Sequence, residues 1–308
     1  MQRTSIATIA FALAAIAPPS DAQLLASEKA TVSQTVDGTT TTVTYFRPRA
    51  RGRRSLFGSR VRWGEIWTPG ANQATLLRVD KDVVIEGTPV PSGAYSVWIV
   101  VQPAAWEMVL DRDTTLLHTQ GPKPRAGQIR FGVRHEKRPF METLTWWFPD
   151  VASTGATLAM QWDTVYVPLR IGVQRSFTTT VASDVSKRVV GSYRLHLEPM
   201  EDPRAKDTTL SAPVEASPTE VMFTIRQQGS ELHGTMDPPM YKTEDGYTEW
   251  ILVPGKGTWF HLGRIDKGEV VEVFDFMHVQ FDAAGDRANG FEMRLPNDML
   301  IAKAARVR

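Results

Sequence analysis

An arginine-rich segment between positions 47 and 62 is the part of the sequence best suited to binding chemistry. It holds seven arginines and no acidic residue, and Trp63 and Trp67 follow it closely. Guanidinium groups form paired hydrogen bonds with carboxylates, sulfates and phosphates, and indole faces offer surfaces for stacking. The segment therefore predicts binding of an anionic glycan or another small anion. The seven residues are Arg47, Arg49, Arg51, Arg53, Arg54, Arg60 and Arg62.

The alternative is that this segment has a structural role and binds no ligand. Runs of surface charge are common in proteins, which favours this alternative. Some of the arginines would then brace a solvated loop against the sheet, through backbone carbonyls or through the nearby acids Glu65 and Asp80. Arg51 and Arg53 are the strongest candidates for a ligand-binding role within the run.

Three polar side chains downstream of the arginines are candidates for lining the same pocket. Asn72 lies in a glycine-containing loop, where asparagine can bind a ligand but more often bonds its own backbone. Thr75 opens the following strand, and Tyr95 is equally a core aromatic residue whose hydroxyl finds a partner. The predicted ligand-binding set is Arg47, Arg51, Arg53, Trp67, Asn72, Thr75 and Tyr95.

Paired acids at Asp111 and Asp113 are the second chemical feature. Glycoside hydrolysis needs two carboxyl groups roughly 5 to 10 Å apart, one of them with a raised pKa. His118 and His135 would join these acids around a metal ion, because histidine and carboxylate are the strong ligands present. The alternative is that Asp111 to Thr114 forms a hairpin turn and that His135 is a core histidine. We predict no metal ion and no cofactor.

Several classes of activity are excluded by what the sequence lacks. The chain has no cysteine, so thiol nucleophiles, zinc ribbons, iron–sulfur clusters and disulfides are ruled out. The G-x-S-x-G, HExxH, Walker and dinucleotide-binding motifs do not occur. A formal net charge of +1 provides no overall field to attract nucleic acid. Enzymatic activity is therefore not favoured, and no nucleic-acid partner is predicted.

The first 22 residues have the features of a secretory signal peptide. Arg3 supplies a positive charge, and Ile6 to Ala17 is a run of twelve uncharged, mostly apolar residues, too short to span a bilayer. Small residues at Ser20 and Ala22 predict cleavage after Ala22. A buried N-terminal helix is the alternative. We expect the mature chain in a periplasmic or extracellular space, and no later stretch predicts a membrane span.

Short extended segments must position these residues, because period-two alternation dominates the sequence and few stretches have helical periodicity. Gln128 to Glu136 alternates most clearly, with Ile129, Phe131 and Val133 on one face. The pair Asp37-Gly38 predicts a hairpin over residues 28–46. Turn signals recur about every ten residues, which is typical of sandwiches and barrels. The predicted fold class is all-β.

Length and composition predict two domains joined by a polar segment. The chain has 308 residues, more than the roughly 250 that one core usually supports. Residues 174–188 are rich in Ser and Thr and weakly apolar, as expected of a linker. Residues 23–173 are assigned to an antiparallel β-sandwich-like domain. Residues 189–308 hold consecutive short strands with tight turns, which predicts a small up-and-down β-barrel filled by aromatic side chains.

The N-terminal half also resembles a known family over residues 45–168. Its most specific piece is the run Trp67 to Thr75 (WTPGANQAT), followed at a strand-loop-strand distance by Pro91 to Ser96 (PSGAYS). Other shared features, in order, are Tyr45, Arg47-Pro48, Arg51-Gly52-Arg53, Leu56-Phe57-Gly58, Gly87 and Trp106. This order resembles the domain-of-unknown-function family 2911, whose members look like secreted all-β bacterial proteins without an established activity. The resemblance implies fold and compartment, and it supplies no catalytic residue.

The resulting interpretation is a secreted all-β protein that acts as a non-catalytic binding or structural module of the bacterial cell envelope. The alternative is a hydrolase acting on envelope glycans or related small molecules. A binding role requires Arg51, Arg53, Trp67, Asn72 and Tyr95 to converge on an open groove, whereas hydrolysis requires two acids to converge in one deep pocket.

Overall fold

The computed structural model describes residues 25–198, 219–239 and 249–307, and its regular structure is β-strand apart from one short helix. The predicted fold class is therefore confirmed, while the predicted signal peptide lies outside the described residues. The chain begins with the predicted hairpin of β1 (Glu28–Val36) and β2 (Thr39–Arg47). Asp37 has a φ of 44° in the turn, the left-handed conformation that a two-residue hairpin loop needs.

Two antiparallel sheets form the N-terminal half. The strands that follow the hairpin are β3 (Ile66–Trp67), β4 (Thr75–Val79), β5 (Val83–Ile85), β6 (Thr88–Val90), β7 (Gly93–Val100), β8 (Trp106–Asp111), β9 (Ile129–Val133), β10 (Glu136–Ala152) and β11 (Gly155–Val173). The first sheet has the order β1-β2-β4-β7-β8-β9, with β3 paired to β7. The second has the order β10-β11-β5-β6. One apolar core joins the two sheets, so this half is sandwich-like.

Alternation along the strands decides which side chains enter this core. On the first sheet Val43, Tyr45 and Leu77 are buried, and from the second sheet Leu158 and Met160 are buried against the same core. Burying an aliphatic or aromatic side chain of this size is worth roughly 1.5 to 3 kcal/mol. The sheets are therefore held face to face mainly by apolar contact.

The β11 strand continues past Pro168, where the sequence predicts that it ends. Up to Tyr166 this strand pairs with β10, and from Ile171 it pairs with β5 instead. Pro168 lies between the two pairings, so its missing N–H interrupts neither ladder. Pro168 therefore marks the position where β11 changes its pairing partner from β10 to β5.

The C-terminal half is a closed barrel of eight strands, each antiparallel to its sequence neighbour, as predicted. The strands are β12 (Gly191–Leu197), β13 (Glu220–Gln228), β14 (Glu231–Asp237), β15 (Glu249–Pro254), β16 (Trp259–Asp266), β17 (Glu269–Asp282), β18 (Gly290–Arg294) and β19 (Leu300–Arg306). Rings of Tyr193, Phe223, Phe260, Phe281 and Phe291 pack together in its core. Closure removes the sheet edges that an open meander would leave unpaired.

A short helix, α1 (Ser183–Val189), lies in the segment predicted as a linker. Val181 and Val189 are buried in the barrel core, and Val185 packs against it. Val185 and Val189 are four positions apart on one side of the helix, and Val181 precedes the helix, so these three apolar contacts explain why a Ser/Thr-rich segment folds here. No helix in the described part of the chain is long and apolar enough to cross a membrane. The division of the chain at residues 174–188 stays a prediction.

Arg306 lies at the seam where β19 meets β12 and the barrel closes. Its guanidinium donates to the carbonyl oxygens of Ala288 (2.5 Å), Val190 (2.8 Å) and Arg188 (2.8 Å), and to the hydroxyl of Tyr193 (2.6 Å). Burial raises the pKa of Tyr193 to about 12, so its hydroxyl stays protonated. One side chain therefore satisfies three carbonyls that the strand ladder leaves free.

We expect Arg306→Met to destabilise the barrel by about 3 kcal/mol, because the part-buried carbonyl oxygens of Ala288 and Val190 lose their donor and that of Arg188 keeps only the N–H of Ala288. The measurement is amide hydrogen exchange of the barrel strands, which reports opening of that half alone. Lys303→Met on the same strand is the control, since Lys303 forms an exposed ion pair with Glu292 worth roughly 1 kcal/mol or less. Equal losses in both variants would contradict the role of Arg306.

Candidate functional site

The arginine loop (residues 47–62) begins where the chain crosses from one sheet to the other. Beyond β2, the N–H of Ala50 donates to the carbonyl of Glu142 (2.7 Å), and the N–H of Leu144 donates to the carbonyl of Pro48 (3.0 Å). The chain leaving the first sheet thus pairs with β10 of the second. This pairing sets where the loop leaves the sandwich.

Arg47 takes part in the same crossing. Its Nε donates to the carbonyl of Leu144 (3.3 Å) and its Nη2 donates to Oγ1 of Thr145 (2.9 Å). Arg47 therefore binds the second sheet, as the structural alternative for the arginine run describes.

The middle of the loop is anchored in the core. The Leu56 side chain is buried, and its N–H donates to the buried carboxylate of Asp163 (2.8 Å). Asp163 has a φ of 54° and lies where the pairing of β10 and β11 is irregular. The bulge turns the carboxylate toward the loop, a common use of such irregularities. Residues 51–55 and 58–60 are exposed, while Phe57 is half-buried beside Leu56.

Two arginines of the loop are held by neighbouring groups. Nε of Arg53 donates to the carbonyl of Ala50 (2.7 Å), which closes a tight turn. The guanidinium of Arg54 lies 4.3 Å above the ring centre of Phe140. Both side chains keep exposed N–H groups, because these contacts use only part of the guanidinium donors.

Arg51 and Arg60 have no side-chain partner within the described ranges. Both are exposed, and only the backbone N–H of Arg51 is engaged, by the carboxylate of Glu142 (2.6 Å). Arg62 differs, since it forms an exposed ion pair with Glu65 at 3.4 Å. The loop thus presents to solvent two guanidinium groups whose N–H donors are all free of partners in the described chain.

An aromatic cluster lies against the loop and consists of Phe57, Trp67, Trp106, Trp162 and His135. Phe57 is at its centre, with ring centres 5.0 Å from Trp106, 5.6 Å from Trp67 and 6.4 Å from Trp162. Trp67 stacks on Trp162 at 6.1 Å, and His135 lies 4.8 Å from Trp106. Phe57 therefore joins the arginine loop to the predicted site residue Trp67.

Two buried nitrogen atoms in this cluster lack a hydrogen-bond partner among the residues that the structure describes. They are Nε1 of Trp162 and Nε2 of His135. The indole nitrogen can only donate, and leaving a buried donor unsatisfied costs about 1 to 3 kcal/mol. His135 lies beyond the end of β9 rather than on its apolar face, since that strand stops at Val133. The end of the sandwich under the loop therefore has one indole donor and one imidazole nitrogen without a partner among the described residues.

The family-like loop WTPGANQAT connects the two sheets through hydrogen bonds. Oγ1 of Thr68 donates to the carbonyl of Val97 (2.8 Å) and accepts the N–H of Thr75 (2.9 Å). The carbonyl of Pro69 accepts Oγ1 of Thr75 (2.9 Å) and the indole N–H of Trp146 (3.1 Å). The buried Thr75 thus bonds the loop itself.

Asn72 and Tyr95 also have internal partners. Nδ2 of Asn72 donates to the carbonyl of Ser27 (3.2 Å), and its own carbonyl accepts the N–H of His118 (2.9 Å). The hydroxyl of the fully buried Tyr95 donates to the carbonyl of Pro91 (2.5 Å). Of the seven predicted ligand-binding residues, the structure brings Arg51, Arg53 and Trp67 to one loop and cluster. The remaining four have their polar groups bonded elsewhere: Arg47, Asn72, Thr75 and Tyr95.

Sequence reasoning missed Phe57, Trp162 and Asp163 as parts of this site. Phe57 was visible as part of an apolar pair, Leu56-Phe57, inside a charged loop, which is a usual sign of an anchor. Trp162 and Asp163 come from β11, more than 90 positions downstream, and only folding places them under the loop.

The paired acids of the hydrolase alternative are firmly ionised. Burial alone would raise the pKa of Asp111, but hydrogen bonds from Arg125, the Asp113 N–H and Gln128 outweigh it, so the pKa is lowered. Hydrogen bonds from Thr115 lower the pKa of Asp113. Neither group has the raised pKa of a general acid.

The connection after Asp111 also differs from the predicted hairpin turn. β8 ends at Asp111 and β9 begins only at Ile129, so the intervening chain is long, and Asp111 ties it to β8 through Arg125. Within the described residues, no three His, Asp or Glu side chains are grouped so as to hold a metal ion.

Comparison with known proteins gives one match. Residues 27–171 match the model of a family described as "Protein of unknown function (DUF2911)". The matched range begins one residue before β1 and ends within β11, so it covers both sheets and stops before the barrel. No curated protein and no solved structure shows significant similarity to the chain. The resemblance seen in the sequence is thereby confirmed.

We expect Asp111→Asn to lower the free energy of unfolding at neutral pH by about 2 kcal/mol, because Arg125 and Gln128 lose a charged acceptor. The folded-state pKa of Asp111 is lowered, so its stabilising effect is present above the unfolded pKa and disappears as pH falls through the folded value. Urea denaturation between pH 7 and roughly pH 2 should therefore show a shallower acid loss in the variant than in the wild type.

Asp150→Asn is the matched control, since Asp150 is exposed on β10 and has no side-chain partner among the described residues. The Asp150→Asn variant should have the same free energy of unfolding as the wild type at each pH. An Asp111 variant that does the same would show that the ion pair does not stabilise the sandwich.

Proposed function

Because residues 27–171 match the model of the DUF2911 family, we propose that this protein is an exported, non-catalytic binding module of the bacterial cell envelope. Its arginine loop binds an anionic glycan. The family has no assigned activity, so the proposal rests on the geometry of the loop and on the signal-peptide pattern of residues 1–22. The hydrolase alternative has no support from Asp111 and Asp113, whose lowered pKa values oppose general-acid catalysis.

The observation that carries the proposal is the pair of free guanidinium groups on Arg51 and Arg60. Each offers up to five N–H donors. The nearby carboxylate of Glu142 accepts the backbone N–H of Arg51 and pairs with Arg49 at 3.7 Å. Planar carboxylates and sulfates accept two parallel hydrogen bonds from such a group. Repeated acid groups along a glycan would therefore contact both arginines.

An exposed indole beside the loop supports a sugar polymer over a simple ion. Trp63 is 44% exposed, and its ring lies directly against Gly58, where any side chain would clash with it at 2.6 Å. Gly58 also has a φ of 89°, a conformation that favours glycine. The local backbone thus holds a flat apolar face at the surface, next to the guanidinium groups.

The binding test uses hexagalacturonate as the probe and a neutral galactan hexamer as its counterpart, both titrated calorimetrically. We expect binding of the anionic hexamer alone, weakening with added salt. The double variant Arg51→Ala/Arg60→Ala should bind about tenfold or more weakly, since charged hydrogen bonds are each worth roughly 1.5 to 3 kcal/mol. Arg78→Ala is the control, because Arg78 is exposed on β4 and has no partner in the described chain.

Equal affinity for the neutral hexamer, or an unchanged affinity in the double variant, would refute the arginine loop as the binding site. Absence of binding to either hexamer would favour a structural role for the module.

Export is tested separately, by expressing the full chain in a Gram-negative host and fractionating the cells. The periplasmic or secreted fraction should contain a protein whose N-terminal residue is Gln23, because cleavage is expected after Ala22. Retention of the full chain in the cytoplasm, with Met1 in place, would reject the export proposal.

A further inference from the structure

A cavity of about 660 Å³ lies between the sandwich and the outer wall of the barrel. The sandwich contributes Asp37 from the turn after β1 and Ser153 from the turn after β10. The barrel contributes residues of β15, β16 and β17, and the connecting segment adds residues 176–178. The volume falls within the range of small-molecule sites, which often lie between domains. We call it the interdomain cleft.

Hydrogen bonds tie the connecting segment to both halves of the chain beside this cleft. The carboxylate of Asp37 accepts the N–H of Ser176 (2.6 Å) and its hydroxyl (2.5 Å). On the other side, the hydroxyl of Thr179 donates to Glu231 (2.5 Å) of the barrel. A hydrogen bond from Thr179 is the main cause that lowers the pKa of Glu231, so that acceptor stays charged near neutral pH. Hydrogen bonds therefore hold the connecting segment to the sandwich on one side of the cleft and to the barrel on the other.

The floor of the cleft is apolar. Phe177 packs against Val253 and Val270 on the outside of the barrel, and Val273 joins the same group. Arg175 lies 5.8 Å from the ring centre of Phe177 but does not line the cleft. An apolar part of a ligand that packs on this floor would be stabilised by about 25 cal/mol for each Å² of apolar surface that it removes from water.

A bulge in β17 gives the cleft a free carboxylate. His261 pairs with His278 and Gly263 pairs with Val273, so residues 274–277 have no counterpart on β16. Asp275 belongs to this bulge, lines the cleft, and has no partner within the part of the chain that the structure describes. Bulges that re-aim a side chain are common next to ligand sites.

His261 and Ser153 add two further groups to the cleft. Nδ1 of His261 lies 3.3 Å from the carbonyl of Phe274 and 3.2 Å from that of Met277. Carbonyl oxygens only accept, so Nδ1 carries the hydrogen, and in that tautomer Nε2 is an acceptor. Oγ of Ser153 is buried and has no hydrogen-bond partner in the described ranges, which is a costly arrangement unless a ligand or water completes it.

The lining is acidic overall. Its charged members are three carboxylates, and no lysine or arginine is among the residues that line the cleft. Asp37 is engaged by Ser176, and Glu272 is paired with Arg264 at 3.1 Å. Asp275 therefore supplies the uncompensated negative charge.

We propose that the interdomain cleft binds a small organic cation, with an ammonium group at Asp275 and His261 and an apolar body on Phe177. The ammonium donates to the free carboxylate and to the bare imidazole nitrogen, and a polar group of the ligand completes the hydroxyl of Ser153. This site is separate from the arginine loop in position and opposite to it in charge, so it does not depend on the function proposed above.

The probe is phenethylamine, which is protonated at neutral pH, compared by calorimetric titration with neutral 2-phenylethanol and anionic 3-phenylpropionate. We expect the protein to bind phenethylamine and to bind the two counterparts at least about tenfold more weakly, because they cannot form a charged hydrogen bond with Asp275. Asp275→Asn should reduce the affinity for phenethylamine by a similar factor.

Asp286→Asn is the matched control, an exposed aspartate between β17 and β18 that does not line the cleft. It should bind phenethylamine like the wild type, and the double variant Arg51→Ala/Arg60→Ala should do so as well. The melting temperature of Asp275→Asn shows that the variant is folded. Equal binding of the amine and the alcohol, or full affinity in folded Asp275→Asn, would overturn the proposal.

Discussion

The site described here depends on one crossing of the chain between the two sheets of the sandwich. Backbone hydrogen bonds of Pro48 and Ala50 to β10 carry the chain from the first sheet to the second. Tyr45, just before the crossing, accepts the N–H of Trp146 at 3.0 Å. Because backbone groups buried between sheets must be paired, the crossing has little freedom. The arginine loop consequently emerges at one end of the sandwich, over the aromatic cluster.

Satisfied and unsatisfied polar groups separate scaffold from candidate site in this protein. Asn72, Thr75 and Tyr95 have internal partners and hold loops to strands. Arg51 and Asp275, in contrast, have no side-chain partner in the described chain, and Asp275 lines the cleft together with apolar residues of the barrel wall. Native structures pair nearly all of their buried polar groups, so the unpaired groups that a ligand could meet lie at the surface or in a cavity. The two halves of the chain thus offer opposite charges to their surroundings.

The sequence predicted most of the strands because alternation and turn residues are local properties. The Asp37-Gly38 hairpin and the eight-stranded meander follow from signals within about ten residues. The helix at Ser183–Val189 was not predicted, since its Ser/Thr-rich composition concealed three valines that find a core only on the barrel. The sequence also predicted a hairpin turn after Asp111, where the structure has a long connection. Arg125, which pairs with Asp111, lies on a distant part of that connection, so local turn signals could not reveal it.

By itself, the sequence determined the all-β class, the filled barrel, the family resemblance of the N-terminal half and the presence of an arginine-rich loop. Each depends on residue type and short spacing, which are read directly from the chain. Tertiary structure alone decided which polar groups remain free. A side chain is left over only when no group from another strand reaches it, and the contacts of Trp67 with Trp162, or of Phe177 with Val270, join residues far apart in the chain. The interdomain cleft also depends on tertiary structure, because its walls come from the turns of two sandwich hairpins and from the outside of the barrel.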